Sequence, residues 1–440
     1  MSEYRPIWWL HPAVPLAIPA GASALFAWML PASSFETHWK TWKFFDTPHL
    51  ALVALSILTF LIGLAASRRF VAGDSGPAAS AAFDRAAAQT LIGIGAWLTL
   101  AGYAIWLAAA ISRGMTLNDV LGVFRGDKMA AYDMKEIYLV TVSGLSTLTQ
   151  FGVAAVVLAS VSATSIGWRR VALPVAAIAG FAAVRSVLNS ERLAMVELVV
   201  PGAIGLFLTL PPKWLTGRRI TFLRIAPAVA PVLLLAFFTG SEYFRSWKNY
   251  YAAQGGSLVE FGATRLSGYY LTSINNSAYL IDRIGKPLGI PYFTASFLYR
   301  FPGLSDLAKE AFLPIPAFAG SELTPDEMLA NGANPEFNNP GGLLAPYMDF
   351  GLWLGAFYWL GAGVLSGILF RLALARHPVG LCLYPVLYLS LLEAPRILYW
   401  SEGKFIPPLA MLLGAAWWLS RRQAGRLARM AWESHREARA

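Results

Sequence analysis

Apolar residues run in long uninterrupted blocks along this chain, separated by polar connections rich in Arg, Gly and Pro. Blocks such as 49–67, 91–111, 137–163, 225–240 and 405–420 come close to the roughly 20 residues that a helix needs to cross hydrocarbon. The pattern predicts ten spans, at approximately 12–31, 49–67, 89–112, 137–163, 171–188, 194–210, 225–240, 343–370, 379–399 and 405–420. The fold class that follows is an all-α integral membrane protein.

One interval breaks the rhythm of short connections. Residues 241–342 contain no convincing span but carry aromatic, Asn, Gly and Pro clusters such as Tyr269-Tyr270, Asn275-Asn276 and Asn338-Asn339-Pro340-Gly341-Gly342. A loop this long between spans is usually functional or disordered, and its aromatics argue for function. Short amphipathic helices lying at the membrane surface are expected there, for instance around Leu258–Ile284. The expected layout is a bundle of seven spans over 1–240, a large loop over 241–342, three spans over 343–420, and a basic tail over 421–440. The tail from residue 423 onward is expected to form an interfacial or solvated helix. The N-terminal apolar block is read as the first span rather than a cleavable signal.

Composition agrees with the pattern. The 440 residues are 56% hydrophobic and 14% charged, against roughly 25% charged in soluble domains. The net charge of +10 would suit a nucleic-acid binder if it were spread over the surface. It is not. The expected inner segments hold 18 Lys/Arg against 5 Asp/Glu, and the outer ones 15 against 17. A basic excess confined to one side is an orientation signal, which puts both termini in the cytoplasm and removes nucleic acid as a partner. Cys382 is the only cysteine, so no disulfide within the chain and no Cys-based metal site can form. His11, His38, His49, His377 and His435 are scattered over both sides, and no metal is expected. Phosphate-loop, zinc-protease and nucleophile-elbow motifs are absent.

Charges inside a bilayer are costly, so each needs a reason. Arg185, Asn189 and Arg192, with Glu191 and Glu197, gather at the turn between the fifth and sixth spans. Spacing of i, i+4, i+7 would put the first three on one face of a continuing helix. Two guanidinium forks and a carboxamide suit an anion such as a diphosphate. A salt-bridged hairpin tip with snorkelling side chains is the alternative. Glu393 and Arg396 are spaced as an internal ion pair or as ligand contacts. Asp349 enters the eighth span near a helix N-terminus, where the dipole stabilises a carboxylate even without a catalytic role. Glu242 and Arg245 open the long loop, and Arg265 precedes Tyr269. Arginine beside tyrosine can hold a phosphate or stack on a sugar.

The charged turn after Arg185, the late outer loop and the run from Asn334 to Gly342 into Tyr347-Met348-Asp349-Phe350-Gly351 together resemble Wzy-type O-antigen polymerases, and more closely the oligosaccharide repeat unit polymerases. The resemblance implies a metal- and cofactor-independent glycosyltransferase of a bacterial inner membrane. It would polymerise undecaprenyl-diphosphate-linked oligosaccharide repeat units on the periplasmic face into O-antigen or exopolysaccharide. A flippase and a chain-length regulator would be its partners. Outer arginines would hold the diphosphate, a role carried to Arg185 and Arg192 and then to Arg245 and Arg265. Glu191 or Glu242 would accept the acceptor's proton. Asp349 is a further catalytic candidate, and Asn189, Glu197, Tyr269, Asn338, Asn339, Glu393 and Arg396 are candidate substrate contacts. Open alternatives are an O-antigen ligase, a transporter or flippase of lipid-linked oligosaccharide, and a structural scaffold.

Overall fold

The computed structural model describes residues 7–70, 84–125, 127, 129–142, 144–189, 193–211, 214–243, 247–248, 251, 256–300, 303, 307 and 323–437. Among them there is no β-strand. Twelve long or apolar helices organise the molecule: α1 Ala13–Met29, α2 Ala32–Trp39, α3 Thr47–Ala66, α4 Arg85–Ser112, α5 Phe151–Ile166, α6 Trp168–Leu188, α7 Leu193–Thr209, α8 Gly217–Glu242, α9 Leu258–Ile284, α10 Ala345–Leu374, α11 Pro378–Glu393 and α12 Ile406–Glu437.

Helices stand at all ten positions expected from hydropathy, but six are long and apolar enough on their own to cross a membrane. A seventh span results if α1 and α2, bent by 105°, are taken as one. Helices α7 and α11 are shorter, and at about 1.5 Å per residue they reach roughly 25 Å. Other expectations need correction. The first part of the helix expected over 137–163 is not apolar helix: a π-helical turn ends at Tyr138, and α5 follows a 3-10 turn at Ser146–Gln150. The basic tail is not a separate element, because α12 runs on unbroken to Glu437.

The largest difference concerns the long loop. Leu258–Ile284 is helical as expected, yet it is neither short nor confined to a surface. It is one helix of 27 residues whose Thr272, Ser273, Asn275, Asn276 and Ser277 are buried. Buried polar groups need partners, and these find theirs in neighbouring loops. Asn275 Oδ1 accepts from the Phe44 and Phe45 amides at 2.7 and 3.1 Å, while its Nδ2 donates to Trp42 O at 2.7 Å. Asn276 Nδ2 donates to Phe337 O and Asn339 O at 2.7 and 2.9 Å, and Ser277 Oγ to Pro340 O at 2.6 Å. Thus α9 is a spine on which two loops hang.

Two large buried clusters form around this spine and beside it. One joins α1, α2, α3, α9 and α10; the other joins α4, α5, α6, α7, α11 and α12. Helices α3 and α10 pack backbone to backbone through Gly63 and Gly363. Helix α8 contrasts with both, since its apolar window has no buried residue. The loops hung from α9 gather at one end of the bundle, and Arg68, Arg371, Arg376 and Arg422 mark the other.

Candidate functional site

A polar cavity of about 380 Å³ opens at the end where the loops gather. Arg300, Arg396 and Lys404 line it, with Asp326, Glu402, Asn338 and Asn339. Three cations, two carboxylates and two carboxamides in one cleft can bind anionic groups and hydroxyls.

Arg396 follows the end of α11. Its Nη1 donates to Glu393 Oε2 at 3.2 Å, and Tyr270 donates to Glu393 Oε1 at 3.2 Å. Its guanidinium lies 5.4 Å over the Tyr269 ring, while its Nε is buried without a hydrogen-bond partner. The side chain as a whole still forms part of the cavity lining. Lys404 pairs at 2.9 Å with Glu197, which is buried near the start of α7.

Arg300 closes the cavity from the loop side. Its Nη2 lies 2.8 and 3.0 Å from the two oxygens of Asp326, and its Nη1 3.7 Å from Glu402. Burial acts to lower its pKa, but Asp326 and then Glu402 outweigh that and keep it raised. Burial, and then Asp326, pushes the nearby Tyr292 phenol up to about 12, so it stays a donor at neutral pH. Ser296 ties this loop to the opposite wall through Ser401 O at 2.8 Å.

The Asn338–Gly342 run forms another wall for a steric reason. Gly341 has φ +71°, and a Cβ there would lie 2.0 Å from Ser277 Oγ. At Gly342 it would meet Leu398 N at 2.5 Å, and Gly342 N donates to Ala394 O at 3.1 Å. The two glycines therefore press this strip between α9 and the Arg396 turn.

Of the residues expected at the site, Asn338, Asn339 and Arg396 line the cavity, with Glu393 and Tyr269 behind Arg396 and Glu197 behind Lys404. Arg265 stands one aromatic layer away. It pairs with Glu336 at 2.7 Å and Glu242 at 3.3 Å, and its guanidinium lies 5.4 Å over Phe337, whose ring meets Tyr269 edge-on at 5.2 Å. Glu242 is fully buried in that pair, which is poor placement for a base.

Arg185 is elsewhere, donating to Thr149 at 2.9 Å and lying 5.8 Å over Trp106. The turn bearing Thr149 packs against the turn bearing Lys404, which makes Arg185 a neighbour of the site rather than a wall. The helix expected to align Arg185 with Asn189 ends at Leu188, and buried Asn189 caps it. Glu191, Arg192 and Arg245 lie outside the described residues.

Asp349 does not reach the cavity. Its buried carboxylate accepts from Phe293 N at 3.0 and 3.1 Å, Thr294 N at 2.7 Å and Thr294 Oγ1 at 2.7 Å. Three donors, two of them on Oδ2 alone, hold the carboxylate in place. Instead it anchors the loop that leads to Arg300.

Sequence reasoning missed Arg300, Asp326, Glu402 and Lys404. Glu402 and Lys404 carried a signal, as the charges in the short connection before the last apolar block. Among the described residues, no group of three His, Cys, Asp or Glu is spaced to hold a metal ion. Set against family models, curated proteins and solved structures, the chain matches none of them.

Proposed function

We propose that this chain is a membrane glycosyltransferase that polymerises oligosaccharide repeat units carried on a lipid diphosphate, as the resemblance to Wzy-type polymerases implies. In this reading all ten hydropathic helices cross or enter the bilayer of a bacterial inner membrane, the basic end faces the cytoplasm, and the cavity faces the periplasm. The observation that carries the proposal is the cavity with Arg300, Arg396 and Lys404, at the end opposite the basic excess.

The reaction breaks the bond between the anomeric carbon of the growing glycan and its diphosphate oxygen. An acceptor hydroxyl of the next repeat unit attacks that carbon, and its proton passes to a carboxylate. The diphosphate leaves with both electrons of the broken bond. Negative charge grows on the leaving oxygens, so fixed guanidiniums stabilise the transition state more than the ground state. Arg396 and Arg300 take that role beside Lys404. Glu402 lines the cavity and is the carboxylate best placed as base. Asn338 and Asn339 offer amides to sugar hydroxyls. Arg192 and Arg245 remain part of the proposed diphosphate contacts.

Deleting the gene and separating the surface glycan on a gel tests the reading. Loss of long chains with single repeats retained supports a polymerase. Unattached polymer would replace it with a ligase, and intermediates held on the cytoplasmic leaflet would replace it with a flippase.

A further inference from the structure

At the basic end, three cationic or titratable groups come together with no carboxylate paired to them among the described residues. Arg371, in the last turn of α10, donates from Nη2 to Ser67 Oγ at 3.0 Å. Ser67 opens the 3-10 turn Ser67–Arg69, so Arg68 follows directly. The ring of Phe370, next to Arg371, meets the His11 ring edge-on at 5.4 Å. The Ala13 amide donates to His11 Nδ1 at 3.4 Å, which leaves the neutral ring's proton on Nε2.

Nothing described neutralises this group. Arg371 Nη1 is buried without a hydrogen-bond partner. Among the described residues, no carboxylate pairs with Arg68, Arg371 or His11, and Asp84, at the same end, pairs with Arg422 at 3.8 Å. The crowding registers on His11, whose pKa is lowered by burial first and then by Arg68 and Arg371. Like charges gathered at one helix end repel unless an anion sits between them. Exposed Phe70 and Leu374 flank the group at the ends of the same two elements, which is where the acyl chains of a headgroup bound at a span end would run.

We propose that His11, Arg68 and Arg371 form a binding site for a phosphate-bearing anion, supplied by an anionic phospholipid headgroup or as free phosphate. The two guanidiniums grip the phosphate oxygens as forks, and His11 Nε2 donates a further bond. Occupancy ties the N-terminal segment, the end of α3 and the end of α10 together. The site is distinct from the cavity and does not depend on the reaction proposed there.

Thermal unfolding of the full chain in nanodiscs tests it. The probes are phosphatidylglycerol added to phosphatidylcholine discs, and inorganic phosphate added to pure phosphatidylcholine discs. Wild type is expected to gain stability with at least one probe, and native mass spectrometry should show that species retained. Phosphatidylglycerol alone assigns a lipid; phosphate alone assigns a soluble anion. The pair Arg68→Gln with Arg371→Gln should weaken the response at least threefold. Arg169→Gln with Arg170→Gln, which removes equal charge from the exposed start of α6, should keep it. If the first pair fails to fold, His11→Gln at an exposed ring decides, with an expected loss of about half the response. No response to either probe, or equal weakening by both pairs, overturns the site.

Discussion

Glu393 and Arg396 are joined twice across the turn that ends α11: Arg396 N donates to Glu393 O at 2.8 Å, and Arg396 Nη1 to Glu393 Oε2 at 3.2 Å. The sequence allowed two readings of this pair, an internal lock or a ligand contact. The geometry joins them, because Glu393 fixes a side chain that also lines the cavity. Glu393→Ala should therefore act on stability as well as on the site. It strands the charge of a side chain that is four-fifths buried, for which roughly 3 kcal/mol, the lower end of the range for broken buried pairs, is expected. A lowered unfolding midpoint in detergent checks this.

Asp349 should behave as an anchor. Asp349→Asn removes the charge that holds three donors and forces an amide N–H toward one of them, at a cost of about 3 kcal/mol. Thr294→Val, which deletes one of those donors, should cost about 1 kcal/mol. Thermal unfolding measures both. Full stability of Asp349→Asn together with abolished activity would restore a direct chemical role.

The α3–α10 contact makes a sharper demand on sequence. A Cβ at Gly363 would lie 2.1 Å from Phe60 O, whereas one at Gly361 meets nothing within 4 Å. Gly363→Leu should prevent assembly of the bundle, and Gly361→Ala should raise stability by about 0.5–1 kcal/mol through helix propensity. Yield of monodisperse protein and its unfolding midpoint separate the two.

The short helix Pro325–Gly332 carries Asp326 into the cavity wall and begins with a capping box between Thr324 and Glu327. The Thr324 backbone and then its side chain bond the Glu327 carboxylate and hold its pKa below the ordinary value of 4.5. A depressed carboxylate stabilises the fold above its ordinary value and loses that contribution as pH falls through the depressed one. The helix should loosen in that acidic window, and Glu327→Gln should loosen it at all pH values. A spin label at exposed Asn331 reads its mobility.

Hydropathy located the helices because burial in lipid imposes long apolar runs wherever a segment crosses. It overcounted the clear spans because α1 breaks at a sharp bend, α7 and α11 are short, and the apolar start of α12 runs on into a basic end; it also extended the fourth span through turns. The 27 residues of α9 were legible as a helix, but not its depth. Its Asn275, Asn276 and Ser277 look like a solvated face until loop carbonyls arrive to satisfy them, and those arrive only with the tertiary fold. The site divides in the same way. Glu393 and Arg396 stood out because a charge inside an apolar block is conspicuous. Arg300 and Asp326 lie in the long connection outside any expected span, where a charge is ordinary, and contacts between segments far apart in the chain bring them together.

Chain elongation by purified protein in liposomes, supplied with undecaprenyl-diphosphate-linked repeat units, tests the central claim most directly. Wild type should produce a ladder of lengthening glycans. Arg396→Lys keeps the charge but loses the fork and its planar packing on Tyr269, so it should fold normally and elongate at least a hundredfold more slowly, about 2.7 kcal/mol in the barrier. A wild-type ladder from folded Arg396→Lys, or no ladder from wild type, would contradict it.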